Sequence, residues 1–187
     1  MRPIGWSEVG GDLEVGEAFV IIQIGNAELD RVYRDAIVPA LTAAGLTPRR
    51  VDIHNSGGLL QNEIAAFIER AEIIVADLTN ERPNCYLEVG YALGLGKLGH
   101  ILLAAREDHQ PDLPNRQPND PRVHFDLNSY DILYWDPDDL PDYSSRLETR
   151  VRRRLLITGT TKPTPVWDDS WIADMRKRAT EGLEGHE

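Results

Sequence analysis

Apolar side chains recur along this chain in two alternating rhythms, short continuous runs and helical spacings, with Gly, Asn and Pro between them. Residues 18–25, "AFVIIQIG", form a β-branched run closed by Gly25-Asn26, which predicts a buried strand and a tight turn. From Asp30 to Ala44, Val32, Tyr33, Ile37, Leu41 and Ala44 return at helical spacing until Gly45 stops them, and Pro39 within the pattern predicts a kink. "PRRVDI", 48–53, predicts a second strand, and "HNSGG" a loop. Leu59, Leu60, Ile64, Phe67, Ile68 and Ala71 mark a second amphipathic helix. "EIIVADL", 72–78, is a third strand, residues 85–96 a helix, and "HILLAA", 100–105, a fourth strand.

Strands and helices that alternate with such short connections argue for a parallel sheet covered by helices on both faces. The continuous apolar strands agree, since parallel strands are enclosed on both sides. The pattern then breaks at "REDHQPDLPNRQPNDP", 106–121, a four-proline loop of unusual length that predicts a lid over a site or an inserted segment. "DILYW", 131–135, predicts the fifth strand. Ser145 with Glu148 makes a capping-box pattern ahead of Leu147, Val151 and Leu155. The expected fold class is a flavodoxin-like doubly wound α/β domain, with a five-stranded parallel sheet in the order 2-1-3-4-5. Residues 1–17 form an N-terminal extension, 18–157 the domain, and 158–187 a C-terminal tail in which "WDDSWIADMRKRATEGL" predicts a short helix.

Composition narrows the partners. The chain of 187 residues carries 31 acidic against 20 basic side chains, a formal charge of −11. Such a surface repels phosphate backbones and anionic lipid, so neither a nucleic-acid polymer nor a membrane is an expected partner. A small anion stays compatible, because local amides can overrule the global field. The single cysteine, Cys85, permits no internal disulfide, and the start shows no secretory pattern, so a cytoplasmic location is expected. The apolar runs are too short to span a bilayer.

Three motifs carry no chemistry. Gly94 to Gly99 matches a GxGxxG pattern, but it closes a helix and precedes a strand, the reverse of a phosphate loop. Asp77 ends the third strand as in a phospho-acceptor receiver, yet no acidic pair follows the first strand. Asp52 and His54, two residues apart, are insufficient for a metal site.

Glu88 stands apart, as an acid near the start of a helix among Tyr86, Leu87, Val89, Tyr91 and Ala92. One reading of a glutamate there is a plain cap that meets the helix dipole. Its apolar neighbours, and the placement of strand ends and helix starts at the carboxyl edge of the sheet, favour a ligand site instead. Asp77 and Glu88 are expected to converge on one crevice, an arrangement suited to an electron-poor sugar carbon.

The segment "AEIIVADLTNERPNCYLEVGYALGLGK" resembles the signature of the nucleoside 2-deoxyribosyltransferase-like superfamily and its TIR-like relatives. The likeness extends upstream through "AFVIIQIGNAELDRVYRDAIVPALTAAGLTPRRVD" and downstream to "VHFDLNSYDILYW", about residues 18–157. It implies N-glycosidic bond chemistry. Glu88 would face the anomeric carbon, and Asp77 would position or protonate the leaving base. Gly25, Asn26, Tyr33, Asp52, Arg82, Asn84 and Tyr86 would bind substrate, with no metal and no cofactor, NAD entering as substrate. The transferases carry an acid where this chain has Arg82, a departure that points toward nucleotides bearing phosphate. Three activities follow as alternatives: cleavage of NAD or a related nucleotide, a nucleoside or nucleotide deoxyribosyltransferase or hydrolase, and a non-catalytic nucleotide-binding signalling module. The expected partner is a small-molecule nucleotide. Association with a second copy is also expected, because related sites are often completed by a neighbouring subunit.

Overall fold

The computed structural model describes residues 16–51, 60–124, 127 and 130–159. Five strands, β1 (Glu17–Ile21), β2 (Thr47–Arg49), β3 (Ile73–Asp77), β4 (Ile101–Arg106) and β5 (Ile132–Trp135), form one sheet in the order β2-β1-β3-β4-β5. Every pairing is parallel. This is the flavodoxin-like doubly wound topology predicted from the alternation of elements.

Period-two alternation along the strands splits the core in two. Ala18 and Val20 join Val75, Leu102 and Leu133 on one face, under helices α1 (Ala27–Val32), α2 (Val38–Ala43) and α5 (Leu140–Thr158). Phe19 and Ile21 join Ile74, Ala76 and Leu103 on the other, under α3 (Leu60–Arg70) and α4 (Pro83–Gly94). There Phe19 and Phe67 stack with ring centroids 5.4 Å apart. All five residues of β3 are buried, as a central strand covered on both faces must be.

The predicted kink between residues 30 and 44 takes the form of a π-helical turn, Tyr33–Ile37, between α1 and α2. Pro39 has no N–H to offer the carbonyl four residues earlier, and the preceding Val38 N–H reaches back to Tyr33 instead. The first helix also starts earlier than its apolar spacing implied. Asn26 caps it, its Oδ1 accepting the Leu29 N–H at 3.0 Å.

The last helix departs from the capping-box expectation. It begins at Leu140, where the Asp139 side chain accepts the Asp142 N–H and Pro141 occupies the first turn. Ser145 lies inside the helix, where its carbonyl accepts the Thr149 hydroxyl. A good cap earlier in the chain simply outcompeted a later one. The formal GxGxxG behaves as expected: Gly94 ends α4, and Gly96, at φ +76°, turns the chain toward β4.

The proline-rich segment after β4 folds around one guanidinium. Arg116 donates to the carbonyls of Asp108, Gln110, Asp120 and Pro121, while the Val123 N–H donates to His109 O at 3.2 Å. No described helix is long and apolar enough to cross a membrane. The predicted helix after residue 166 lies outside the described residues.

Gly45 ends α2 in the left-handed region, at φ +85°, with open space where a side chain would point. Gly45→Ala is therefore expected to cost about 1–2 kcal/mol through backbone strain alone. Urea unfolding measures this, and an unchanged midpoint would contradict it.

Candidate functional site

α4 places the acid singled out in the sequence, but deeper than expected. The helix runs from Pro83, with Arg82 as its N-cap residue, and has no acid in its first turn. Glu88 sits in the second turn, beyond the exposed amides of the helix start, so it does not act as a cap. Among the described residues nothing donates a hydrogen bond to its carboxylate or forms an ion pair with it.

Glu88 instead lines a cleft of about 430 Å³ between α3 and α4. Gln61, Ile64, Ala65 and Ile68 come from α3, one face of that helix by their spacing. Asn84, Leu87 and Tyr91 join Glu88 from α4. The helix is less enclosed than its composition implied. Only Cys85, Val89 and Ala92 are buried, while Leu87 is 74% and Tyr91 40% exposed, forming an apolar rim. The cleft runs along most of both helices, from Gln61 to Ile68 on α3 and from Asn84 to Tyr91 on α4.

Burial in this apolar setting pushes the Glu88 carboxyl up to about 7. A carboxylate ordinarily ionised at neutral pH is thereby poised between its two forms. The folded value exceeds the unfolded one, so this group stabilises the fold when protonated. That contribution is lost as pH rises through about 7. A residue that costs stability at working pH is more readily explained by function than by packing.

Asp77 does not share the cleft. Its side chain is fully buried, and both oxygens are occupied. Oδ1 accepts the Thr79 N–H at 2.9 Å and Oδ2 the Trp135 indole N–H at 2.8 Å. Burial raises its pKa against the opposing pull of those hydrogen bonds. The expected convergence of two acids is therefore corrected, because the β5 indole captures the strand-final acid and turns it into a structural junction.

The remaining expected residues are dispersed. Gly25, at φ +76°, and Asn26 make the turn and cap after β1. Tyr33 is buried in the π turn, on the opposite face of the sheet from α4, beneath the Arg50 guanidinium at 4.4 Å from its ring centroid. Tyr86 turns away from the cleft, its hydroxyl accepting the His124 N–H at 3.1 Å and its ring edge-on to the His124 ring. Arg82 is exposed, two residues from Asn84, and makes no capping bond. Asp52 lies outside the described residues. Of the expected residues that are described, only Glu88 and Asn84 line the cleft. The 106–121 segment does not cover it, since none of its residues lines it.

A second cluster at the carboxyl edge holds the connection into α4. His109 is fully buried, and its Nε2 accepts the Asn80 N–H at 3.0 Å. That nitrogen carries no proton, so Nδ1–H donates to Asp108 Oδ1 at 2.5 Å. Asn80 and Glu81 both adopt positive φ, at +65° and +50°. The imidazole thus supports a strained turn whose next residue is the N-cap of α4. Sequence reasoning missed this cluster, because only its adjacent Asp108-His109 pair is visible without the fold. It missed Gln61 and Ala65 for the opposite reason: Ile64 and Ile68 read as core, and their polar and small neighbours went unweighed.

Cys85 is buried, and burial pushes its thiol up to about 12, which disfavours the thiolate form that a nucleophile requires. Among the described residues no three potential metal ligands cluster. No protein-family model matches the chain, and no curated protein matches it. Fold and site together define a doubly wound α/β chain with one unpaired carboxylate in an apolar inter-helix cleft.

The Asp77 junction yields a test. Trp135→Phe leaves Oδ2 of a buried carboxyl without its donor and is expected to cost about 1–3 kcal/mol. The loss should shrink in acid, because protonated Asp77 has less need of both donors. Denaturant unfolding at two pH values measures this, and an equally large deficit at both would contradict the assigned bond.

Proposed function

We propose that the chain cleaves the N-glycosidic bond of NAD or a related nucleotide in the α3–α4 cleft, with Glu88 at the anomeric carbon. The observation that carries this is the unpaired Glu88 carboxylate, raised to about 7 in an apolar cleft. As C1′ loses its base it gains positive charge, and a carboxylate in a low-dielectric setting stabilises that charge strongly.

A single acid suffices when the leaving group is already cationic. In NAD the C1′–N bond breaks with its electron pair going to the nicotinamide nitrogen, which departs neutral and needs no proton. Water then adds to C1′ and gives up a proton, and ionised Glu88 can take it. The enclosure of Asp77 favours this substrate class over neutral bases, which leave best when a second group protonates them. Asn84, on the same face of α4 one turn before Glu88, is suited to hydrogen-bond a ribose hydroxyl. Arg82, exposed beside it, is suited to hold a phosphate at the mouth. The resemblance to the deoxyribosyltransferase-like and TIR-like enzymes is independent support for the same residue. A nucleoside or nucleotide transferase or hydrolase remains the neighbouring activity on the same atoms.

Purified chain incubated with NAD, and separately with nucleoside monophosphates, is expected to release free base, resolved by chromatography. The rate should rise with pH through about 7 as Glu88 ionises. Glu88→Gln should lower it by about 100-fold or more, without lowering the unfolding midpoint at pH 8. Near-wild-type turnover in Glu88→Gln would contradict the assignment, and saturable binding of NAD with no free base would make the cleft a sensor. Arg82→Ala should weaken a nucleotide while leaving the matching nucleoside nearly unaffected. Equal weakening of both would remove the phosphate contact.

A further inference from the structure

The chain carries a second groove, which shares α4 with the α3–α4 cleft but none of its lining residues. Its floor is apolar, a cavity of about 240 Å³ built on Val89 and Leu93 of α4 and Ile101 and Leu103 of β4. Leu98 and Tyr130 stand at its rim, 41% and 37% exposed. An adjoining cavity of about 330 Å³ shares Asp131 and Arg154 with the first and adds Arg150 and Arg153. These three arginines lie on one face of α5 by their spacing. Arg150 pairs with Asp131 at 2.7 Å, whereas Arg153 and Arg154 have no ion pair among the described residues. Two uncompensated guanidiniums beside an apolar floor are conspicuous in a chain of net charge −11. Such a surface suits an occupant that is both apolar and acidic.

The chain itself supplies that chemistry. α5 ends against the 97–100 turn, where a side chain at Gly99 would meet Thr158 Cγ2 at 3.8 Å, so the backbone leaves at the groove. Leu156, in its last turn, is 78% exposed. Residues 160–187 continue from there and contain Val166-Trp167-Asp168-Asp169-Ser170-Trp171, the tryptophan-bearing stretch for which the cleft has no use. Trp167 lies eight positions beyond Gly159, a reach of up to about 26 Å when extended, ample for a groove flanking the end of α5.

We infer that the 166–171 segment docks in this groove, Trp167 or Trp171 filling the apolar cavity and Asp168 and Asp169 meeting Arg153 and Arg154. Tryptophan in an apolar pocket ringed by charge pairs is the usual form of a strong contact. The covalent tether favours the chain's own segment over a second copy, because it holds the segment at an effective concentration in the millimolar range. A free anion would satisfy the arginines but leave the floor uncovered. Docking would cover the outer end of the α4–β4 layer and tie the tail to the helix that carries Glu88.

Hydrogen exchange by mass spectrometry on the full-length chain tests this, at two protein concentrations. Arg153→Glu with Arg154→Glu, or Asp168→Arg with Asp169→Arg, should speed exchange at 97–103 and 166–171 together, by about tenfold or more. Combining all four substitutions should restore protection, and wild-type protection should not change with concentration. Three outcomes would each overturn the inference. Exchange unaffected by either charge reversal would show that the segment does not dock there. Protection that grows with concentration would place a second copy in the groove. Protection gained only on adding inorganic phosphate would make it a free anion site.

Discussion

Everything near the carboxyl edge depends on how the fold disposes of one buried acid. β3 is enclosed on both faces, and its last residue, Asp77, has no route to water. An uncompensated carboxylate there would cost several kcal/mol. It is compensated by the Thr79 N–H, which tightens the turn toward α4, and by the Trp135 indole, which pins β5 beside the central strands. Thr79 in turn accepts the Arg106 N–H at 2.9 Å, so the ends of β3, β4 and β5 are fastened through one side chain and its partners. The strained residues Asn80 and Glu81, supported by His109, then deliver the chain to Pro83.

That framework explains why Glu88 can afford to be unpaired. The junction and His109 fix the start of α4, so the helix does not depend on its own acid for a cap. Cys85, Val89 and Ala92 anchor its inner face in the core. Glu88, on the flank facing α3, is left with an apolar cleft and no partner, which raises its pKa toward neutrality.

The architecture was legible in the sequence because each strand of a parallel sheet reads as one apolar run, and each crossover helix as one 3.6-residue rhythm. The order 2-1-3-4-5 is a common order of the doubly wound class those patterns indicate, and Pro39 marked the helix irregularity that takes the form of a π turn. Helix starts were less legible, since Ser145 offers a capping-box pattern while the cap is Asp139, with Leu140 and Pro141 in the first turn. The site was half legible. Glu88 stood out because an acid interrupts an apolar helix, and Asn84 followed from the same motif. Asp77 was misread because its captor, Trp135, is 58 residues away, and sequence shows which residue ends a strand but not what closes over it. Tyr33 and Tyr86 match a motif by position, yet each turns to a different face.

The central proposal is that Glu88, its carboxyl raised to about 7 by burial, lines a nucleotide-binding cleft. The most direct measurement is a carbon-13 NMR titration of the Glu88 side-chain carboxyl, assigned by its loss in Glu88→Gln, with and without NAD. The account predicts a midpoint near 7 that moves when NAD binds, because a positively charged ring and a ribose enter beside the carboxylate. A midpoint in the ordinary glutamate range near 4.5, unmoved by saturating NAD, would contradict it.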